Sequence, residues 1–277
     1  MSITINQLFD QIDNVPNVPE VVRTLLKQVN NPNIDFAPIA ENVEKEQAIS
    51  IKVLRLVNSA HYGLPNQIGS IKQALVILGI YELKKLVIMS GFISAISDVP
   101  GLNLEDFWLD NYRTATYAQW IAEQSQLDDI DLIFTAGLIN NLGTVLIHLG
   151  APDIAKKIDL DLRRGKSRID AEHKHLYFLS QEITAELCSH WQFSEELIEV
   201  IIKSAEPLSF DDISLSSCAI SVARYISQST YSEKSEEEIL NEFPYDEWKK
   251  LGLDSHDIEE NITLMLELDT GIDGLLD

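Results

Sequence analysis

The stretch DIDLIFTAGLINNLGTVLIHLG, residues Asp129 to Gly150, decides the fold of this chain. Its apolar side chains recur at steps of three and four residues, as Phe134, Leu138, Leu142 and Val145 do. An apolar surface this wide is typical of a central element rather than a surface helix. We therefore expect a single buried helix over the whole stretch.

Two adjacent amides, Asn140 and Asn141, interrupt the apolar pattern in the middle of this stretch, and Gly143 follows them. A buried amide is costly unless its polar atoms are hydrogen-bonded. The surroundings of these two side chains must therefore be polar, which makes them the first candidates for a functional site.

The composition favours an α-rich protein whose partners are not nucleic acids. The chain has 277 residues, 45% of them hydrophobic, with only 12 glycines and 9 prolines. Its formal net charge of −23 repels phosphate backbones and anionic lipid head groups. We expect no binding to nucleic acid or to a membrane, although a local basic patch could still hold a small anion.

The N-terminus and the two cysteines both indicate a cytoplasmic protein. Cys188 and Cys218 lie in apolar helical patterns, which predicts buried, reduced thiols. No basic region followed by an apolar one opens the sequence, so no signal peptide is expected. The longest apolar run, Leu86 to Ile96, is too short to span a bilayer.

Helical patterns separated by short breaks fill the first hundred residues and predict a compact bundle. Ser70 is a plausible N-cap, Gly63 with Pro65 stops one helix, and Gly79 stops another. The predicted helices cover about 19–29 (ended by Asn30 to Asn33), 38–44, 48–62, 70–79 and 81–96.

The segment Asp98 to Asn103 is the best internal boundary, because Pro, Gly and Asn together break a helix. The pattern predicts three domains: 1–98, 99–230 and an acidic helical extension, 231–277, which is either a solvated appendage or an interaction tail. Besides the central helix, the predicted helices here are 105–124, 152–158, 169–191, 194–204 with Ser194 as N-cap, and one from Asp211 or Asp212 to about 229.

Five phrases in a fixed order resemble the HDOD family, the catalytically degenerate relatives of HD-domain phosphohydrolases. They are VPNVPEVV, the run LRLVNSAHYGLPNQIGSIKQALVILG, FWLDNYRTA, AGLINNLG and HWQFSEELIEVI. The second contains the motif residues Asn58, Ser59, Ala60, Tyr62 and Gly63. The resemblance spans about Pro16 to Pro207. It implies an all-α fold with an N-terminal helical bundle packed on an HD-like helical core, followed by extra C-terminal helices.

The same resemblance locates the positions at which HD enzymes bind a divalent metal through histidine and aspartate. The matching residues in this chain are Asp110, Asn140, Asn141, Gln181, Ser204, Ala205 and Glu206. None is a histidine, and a neutral amide binds transition metals weakly. We therefore expect no metal, no cofactor and no catalysis; Asp110 and Glu206 could at most hold a loosely bound Mg²⁺.

The interpretation that follows is a regulatory module of a bacterial signalling pathway, acting through contacts with a protein partner. Two alternatives stay open. One is a diverged metal-dependent phosphohydrolase, for which His148 could complete a pocket because it shares a helical face with the two amides. The other is a non-catalytic sensor of a small nucleotide, whose phosphate could bind basic residues if they cluster: Lys52, Arg55, Lys72, Lys84 and Lys85.

Overall fold

The computed structural model describes residues 3–27, 36–230, 232 and 234–268, and this part of the chain is helical without strands. It confirms the predicted all-α class. The helices are Ile5–Asp10 (α1), Glu20–Lys27 (α2), Phe36–Lys45 (α3), Gln47–Val57 (α4), Ile71–Ala95 (α5), Leu104–Gln124 (α6), Ile130–Ile139 (α7), Leu142–Gly150 (α8), Pro152–Arg163 (α9), Arg168–His175 (α10), Ser180–His190 (α11), Glu195–Lys203 (α12), Leu215–Thr230 (α13), Glu236–Asn241 (α14), Tyr245–Lys250 (α15) and Ile258–Leu266 (α16). The helix end predicted at Asn30 to Asn33 and the last nine residues of the acidic tail lie outside the described residues.

The described residues form two compact units. One contains residues 16–27 and 36–97, in which α5 packs against α2, α3 and α4. Ser70 caps α5 as predicted, with its hydroxyl accepting a hydrogen bond from Gln73 N at 3.2 Å. Gly79 adopts φ +79°, which only glycine tolerates easily, and it divides α5 at the position where the sequence predicted a helix end.

The other unit contains residues 3–15 and 98–268, so its chain is discontinuous. In this unit α6 packs against α7 and α13. Helix α8 packs against α9, α11 and the short N-terminal helix α1. Asn103 caps α6 by accepting hydrogen bonds from Glu105 N at 3.1 Å and Asp106 N at 3.4 Å. Leu8 of α1 is fully buried in this unit.

The prediction of one continuous helix from Asp129 to Gly150 is wrong. The helix breaks at Asn140 and Asn141 into α7 and α8. The Asn140 amide donates to Gly137 O at 2.5 Å, and Asn141 O accepts from Thr144 N, a tighter turn than the α-helix makes. This segment is apolar and long enough to cross a membrane, but 89% of its most apolar window is buried within the protein, as expected of a core element.

Two further helix predictions need correction. The expected helix 169–191 is divided between α10 and α11, because Tyr177 has φ +67° and the carboxylates of Glu172 and Glu182 accept from the first free N–H groups of α11. The last long helix begins at Leu215 rather than after Asp211 or Asp212. Ser214 caps it by accepting from Ser217 N at 3.2 Å.

The C-terminal extension is more than a solvated appendage over its described part. Trp248 of α15 is fully buried, and its indole N–H donates to Asp254 O at 3.0 Å. Its ring also contacts Phe243 edge-to-face, with centroids 5.5 Å apart. Tyr225 of α13 donates to Ile239 O at 2.6 Å. These contacts pack residues 239–254 against α13, with Phe243, Trp248 and Leu251 buried in the discontinuous unit.

Candidate functional site

The hydroxyl of Thr184 on α11 hydrogen-bonds to backbone groups on both sides of the break between α7 and α8. Thr184 Oγ1 accepts from Gly143 N at 2.8 Å and lies 3.2 Å from Asn140 O. Helix α11 comes so close that a Cβ atom added to Gly143 would lie 2.0 Å from Ser180 O. The glycine is therefore required by the approach of a second helix, and that approach fixes the positions of both asparagines.

A cleft of about 1150 Å³ opens beside this break in the discontinuous unit. Most of the residues that match the HD ligand positions line it, namely Asp110, Asn141, Gln181, Ala205 and Glu206. Asn140 and Ser204 lie directly behind, since both contact the cleft residue Arg224. The structure thus brings together residues that are far apart in the sequence.

Arg224 of α13 lies among these positions, and no local pattern in the sequence predicts its role. Its guanidinium donates to Ser204 O at 2.8 Å, to Ala205 O at 3.3 Å and to Asn140 Oδ1 at 3.5 Å. Burial lowers the pKa of Arg224 to about 10, and the charges of Asp110 and Glu172 oppose that shift. The side chain is therefore charged at neutral pH and places a fixed cation at this point.

Both oxygens of the Asp110 carboxylate accept hydrogen bonds from side chains of α13. Its carboxylate accepts from the Ser227 hydroxyl at 2.7 Å and from the Gln228 amide at 3.3 Å. Burial raises the pKa of Asp110, while the two hydrogen bonds and the charges of Arg168 and Arg224 act against that rise. The carboxylate tethers α6 to α13.

A second arginine, Arg168, connects the α7–α8 break to the start of α11. Its guanidinium lies 3.5 Å from Thr144 Oγ1, and Thr144 in turn donates to Asn141 Oδ1 at 2.8 Å. Arg168 also pairs with the buried Glu172 at 3.3 Å, whose other oxygen accepts from Ser180 N at 2.7 Å. Arg168 is thereby linked to Asn141 through Thr144 and to the first turn of α11 through Glu172.

Two predicted site residues contribute little to the cleft: His148 lies outside its lining, and Glu206 lies at its exposed edge. His148 is buried with its Nε2 3.8 Å from Asp159, and burial lowers its pKa, so it is a neutral packed side chain. Glu206 is about half exposed and lies 3.8 Å from His173.

The NSAHYG residues form a corner in the other unit. The Asn58 side chain donates to Ile68 O at 2.9 Å and accepts from Ile68 N at 2.7 Å, which closes the loop after α4. Tyr62 donates to Glu82 at 3.1 Å, and Gly63 has φ +53°. Ser59 Oγ is buried and has no hydrogen-bond partner among the described residues, and Ala60 is exposed.

Of the basic residues considered for a nucleotide, two are neutralised by acidic neighbours in this unit. Lys72 pairs with Glu41 at 2.9 Å, and Lys85 lies 3.8 Å from Glu82. Burial lowers the pKa of Lys52, and the nearby charge of Arg55 adds to that effect.

These residues do not fit a divalent metal. Tight metal sites use imidazole, thiolate or several carboxylates converging on one point. Within the described ranges, no group of three or more His, Cys, Asp and Glu side chains is placed to hold an ion. The positions around Arg224 offer amides, a hydroxyl, a methyl group and carbonyls already engaged by its guanidinium. Of their two carboxylates, Asp110 is hydrogen-bonded to Ser227 and Gln228, and Glu206 is half exposed beside His173.

A model of the HDOD domain matches residues 15–207 of this chain. The chain belongs to the HDOD family. This HDOD chain also matches a protein of uncharacterised function from Treponema pallidum (strain Nichols), with 25% identity over 201 residues, 69% of this chain. The match covers only 38% of the Treponema protein, so the chain spans well under half of that relative.

Two solved structures show the same fold along nearly the whole HDOD chain. One is a candidate phosphohydrolase from Shewanella amazonensis SB2B, with TM-score 0.77, 26% identity and 98% of both chains covered. The other is a candidate signal transduction protein from Marinobacter aquaeolei VT8, with TM-score 0.76, 17% identity, and 98% of this chain and 65% of that one covered. The HD-like core predicted from the sequence is therefore confirmed.

Proposed function

We propose that this HDOD chain is a non-catalytic regulatory module of cytoplasmic signal transduction that acts through contacts with a protein partner. The observation that carries the proposal is Arg224, whose guanidinium lies among the residues at the HD ligand positions. A positive charge there repels a divalent cation, and amides cannot replace the imidazoles that would bind one. Membership in the HDOD family and the Marinobacter structure, named for signal transduction, support the same assignment.

The lack of catalysis is tested by metal titration together with a hydrolysis assay. Calorimetric titration with Mn²⁺, Zn²⁺ and Mg²⁺ should reveal no site of micromolar or tighter affinity. A chromogenic phosphodiester should not be hydrolysed above the rate without protein. The Arg224→Ala variant should behave in the same way, because removal of the cation does not supply the missing ligands. Tight metal binding accompanied by turnover would establish the rival phosphohydrolase function.

Exposed apolar side chains on α5 support a contact-based function. Val76 is 84% exposed, and Ile77 and Tyr81 near it are 49% and 58% exposed. Large apolar side chains close together on a surface often mark a site of protein interaction. A photo-crosslinking residue at position 76 should capture one defined protein in the native host, and Tyr81→Asp should abolish that crosslink. If the Tyr81→Asp variant keeps both the crosslink and the signalling output, this part of the proposal is contradicted.

A further inference from the structure

The cleft of the discontinuous unit contains more hydrogen-bond donors than the protein satisfies. Asn141 and Gln181 are only 5% and 4% exposed, and both line the cleft. Asn141 Oδ1 accepts from Thr144, and Gln181 Oε1 accepts from the Ser180 hydroxyl. Within the described residues, neither amide nitrogen has an acceptor. Both side chains line the cleft, so each nitrogen can donate to a ligand there that accepts hydrogen bonds.

The orientation of the Asn141 amide follows from its neighbours. Arg168 can only donate, so the Thr144 hydroxyl accepts from it at 3.5 Å and donates its own hydrogen to Asn141 Oδ1 at 2.8 Å. The nitrogen of Asn141 is then the atom that remains available to the cleft. The hydrogen bonds from Arg168 to Thr144 and from Thr144 to Asn141 therefore determine which atom of the Asn141 amide can donate to a ligand.

Two guanidinium groups complete this set, which we call the donor cluster: Asn141, Arg168, Gln181 and Arg224, all lining the cleft. Arg224 contacts three oxygens through its two terminal nitrogens, which leaves its Nε–H without a protein acceptor in the described structure. The four side chains come from the α7–α8 break and from α10, α11 and α13. Donors that converge from separate helices suit an acceptor with oxygens in several directions.

We propose that the donor cluster binds the phosphate group of a small molecule. A tetrahedral phosphate presents acceptor oxygens in several directions, whereas a carboxylate presents them in one plane, and guanidinium groups bind phosphate with strong charge-assisted hydrogen bonds. The volume of about 1150 Å³ exceeds the space that a phosphate needs, so the rest of the ligand lies in the same cleft.

The acidic side chains of the lining are largely engaged by the protein. Glu172 accepts from Arg168 and from Ser180 N, and Asp110 accepts from Ser227 and Gln228. Asp106 accepts from the Asn103 amide, and Glu242 pairs with Lys234. Glu206 and Glu247 are the other carboxylates of the lining, and neither hydrogen-bonds to the donor cluster in the described structure.

The test is calorimetric titration of the full chain with inorganic phosphate, AMP and succinate at matched ionic strength. Phosphate or AMP should bind with a Kd at or below about 1 mM. Gln181→Glu and Asn141→Asp replace a donor by an acceptor of the same shape and should weaken binding by at least about ten-fold. Gln181→Met, which removes the donor without adding charge, should weaken binding less than Gln181→Glu.

The control is Gln124→Glu, which adds the same charge at an exposed position of α6 outside the cleft and should leave binding unchanged. Circular dichroism and the melting temperature establish that each variant folds. Stronger binding of AMP than of phosphate would assign the remaining volume to the nucleoside, and equal binding would leave the phosphate group as the recognised part. Both results support the site.

The proposal is overturned if the folded protein binds neither phosphate compound, if succinate binds more tightly than phosphate, or if Gln181→Glu and Asn141→Asp leave the affinity unchanged. It goes beyond the proposed protein contacts and fails separately from them. Release of phosphate from AMP would instead contradict the proposed lack of catalysis.

Discussion

Arg224 is the residue that defines the character of the cleft. Its guanidinium satisfies two carbonyls and one amide oxygen that would otherwise be buried acceptors without donors. It remains charged despite burial, because its lowered pKa of about 10 is still well above neutral pH. A single side chain thus stabilises the unit and places a positive charge in the cleft.

Replacement of Arg224 by methionine should destabilise the protein. The variant keeps an apolar chain of similar length but leaves Ser204 O, Ala205 O and Asn140 Oδ1 without their donor, a cost of about 3 kcal/mol. Arg224→Lys keeps the charge but lacks the planar guanidinium group, and it should lose about half as much stability as Arg224→Met. Urea unfolding at neutral pH measures both differences. Equal stability of Arg224→Met and the unmodified protein would contradict this role.

Gly143 is the second residue whose identity is required by packing. An alanine Cβ at this position would lie within 3 Å of three backbone atoms of Ser180, which cannot move independently of α11. Gly143→Ala should therefore lower the free energy of unfolding by about 2–3 kcal/mol. The matched control is Gly69→Ala, where the nearest atom is a flexible glutamine oxygen at 3.7 Å and little change is expected. Similar unfolding curves for both variants would refute the argument.

At the scale of elements, the two breaks in predicted helices form the site. The α7–α8 break sets the directions of Asn140 and Asn141, and the α10–α11 break allows Glu172 to reach Ser180 N. At each break, backbone groups that would bond within a continuous helix bond instead to a side chain of another helix. The cleft therefore lies where regular helices end.

Asp161 joins two of these elements and should make stability depend on pH. Its carboxylate on α9 accepts from Lys174 at 2.6 Å and His175 at 2.9 Å on α10, and Lys166 lies at 3.4 Å. Hydrogen bonds from Lys174 and His175 hold the pKa of Asp161 well below its ordinary value of 3.8. Because the folded-state pKa is lowered, this stabilisation is complete above the ordinary value and is lost as the pH falls below it.

The measurement is urea unfolding of Asp161→Asn and the unmodified protein at several pH values. The variant should be less stable at neutral pH, and the difference should shrink as the pH falls below about 4. Asp153→Asn is the control, because that carboxylate is 90% exposed and its ion pair with Lys156 is expected to contribute little. A difference for Asp161→Asn that stays constant down to acid pH would rule out the ion-pair explanation.

At the scale of the whole molecule, the unit that holds the cleft is built from both ends of the described chain. Helix α1 supplies Leu8 and Phe9, which pack against α8 and against His190 of α11, and α15 supplies Trp248 to the same unit. Residues 16–27 and 36–97 form the other unit. The stability of the cleft therefore depends on segments far from it in sequence.

Both thiols lie in this unit and should report on its unfolding. Burial raises the pKa of Cys188 well above its usual range and is the main reason that the pKa of Cys218 rises to about 11. Since the thiolate is the reactive form, neither cysteine should react with a thiol reagent in the native protein at about pH 8. Both should react in denaturant, at the same concentration at which the unit loses helicity. Rapid native labelling of either cysteine would show that the unit opens locally.

Much of the helical architecture could be predicted, because helix formation leaves a local and periodic signal. The capping residues Ser70 and Ser194, the stop at Gly79 and the buried character of residues 129–150 were all evident from neighbours within a few positions. The breaks at Asn140 and after His175 were missed, because their apolar periodicity continues across them. The adjacent amides followed by Gly143 were the available signal for the first break.

The all-helical class, the HDOD resemblance and the lack of histidines at the matched positions can all be read from the amino-acid sequence. Only the tertiary structure placed Arg224 beside Asn140, 84 residues away, and Thr184 against Gly143, 41 residues away. Helices are stabilised by hydrogen bonds between near neighbours, so their signal is local. The cleft depends on which helices pack together, and that choice comes from side-chain complementarity that periodicity does not encode.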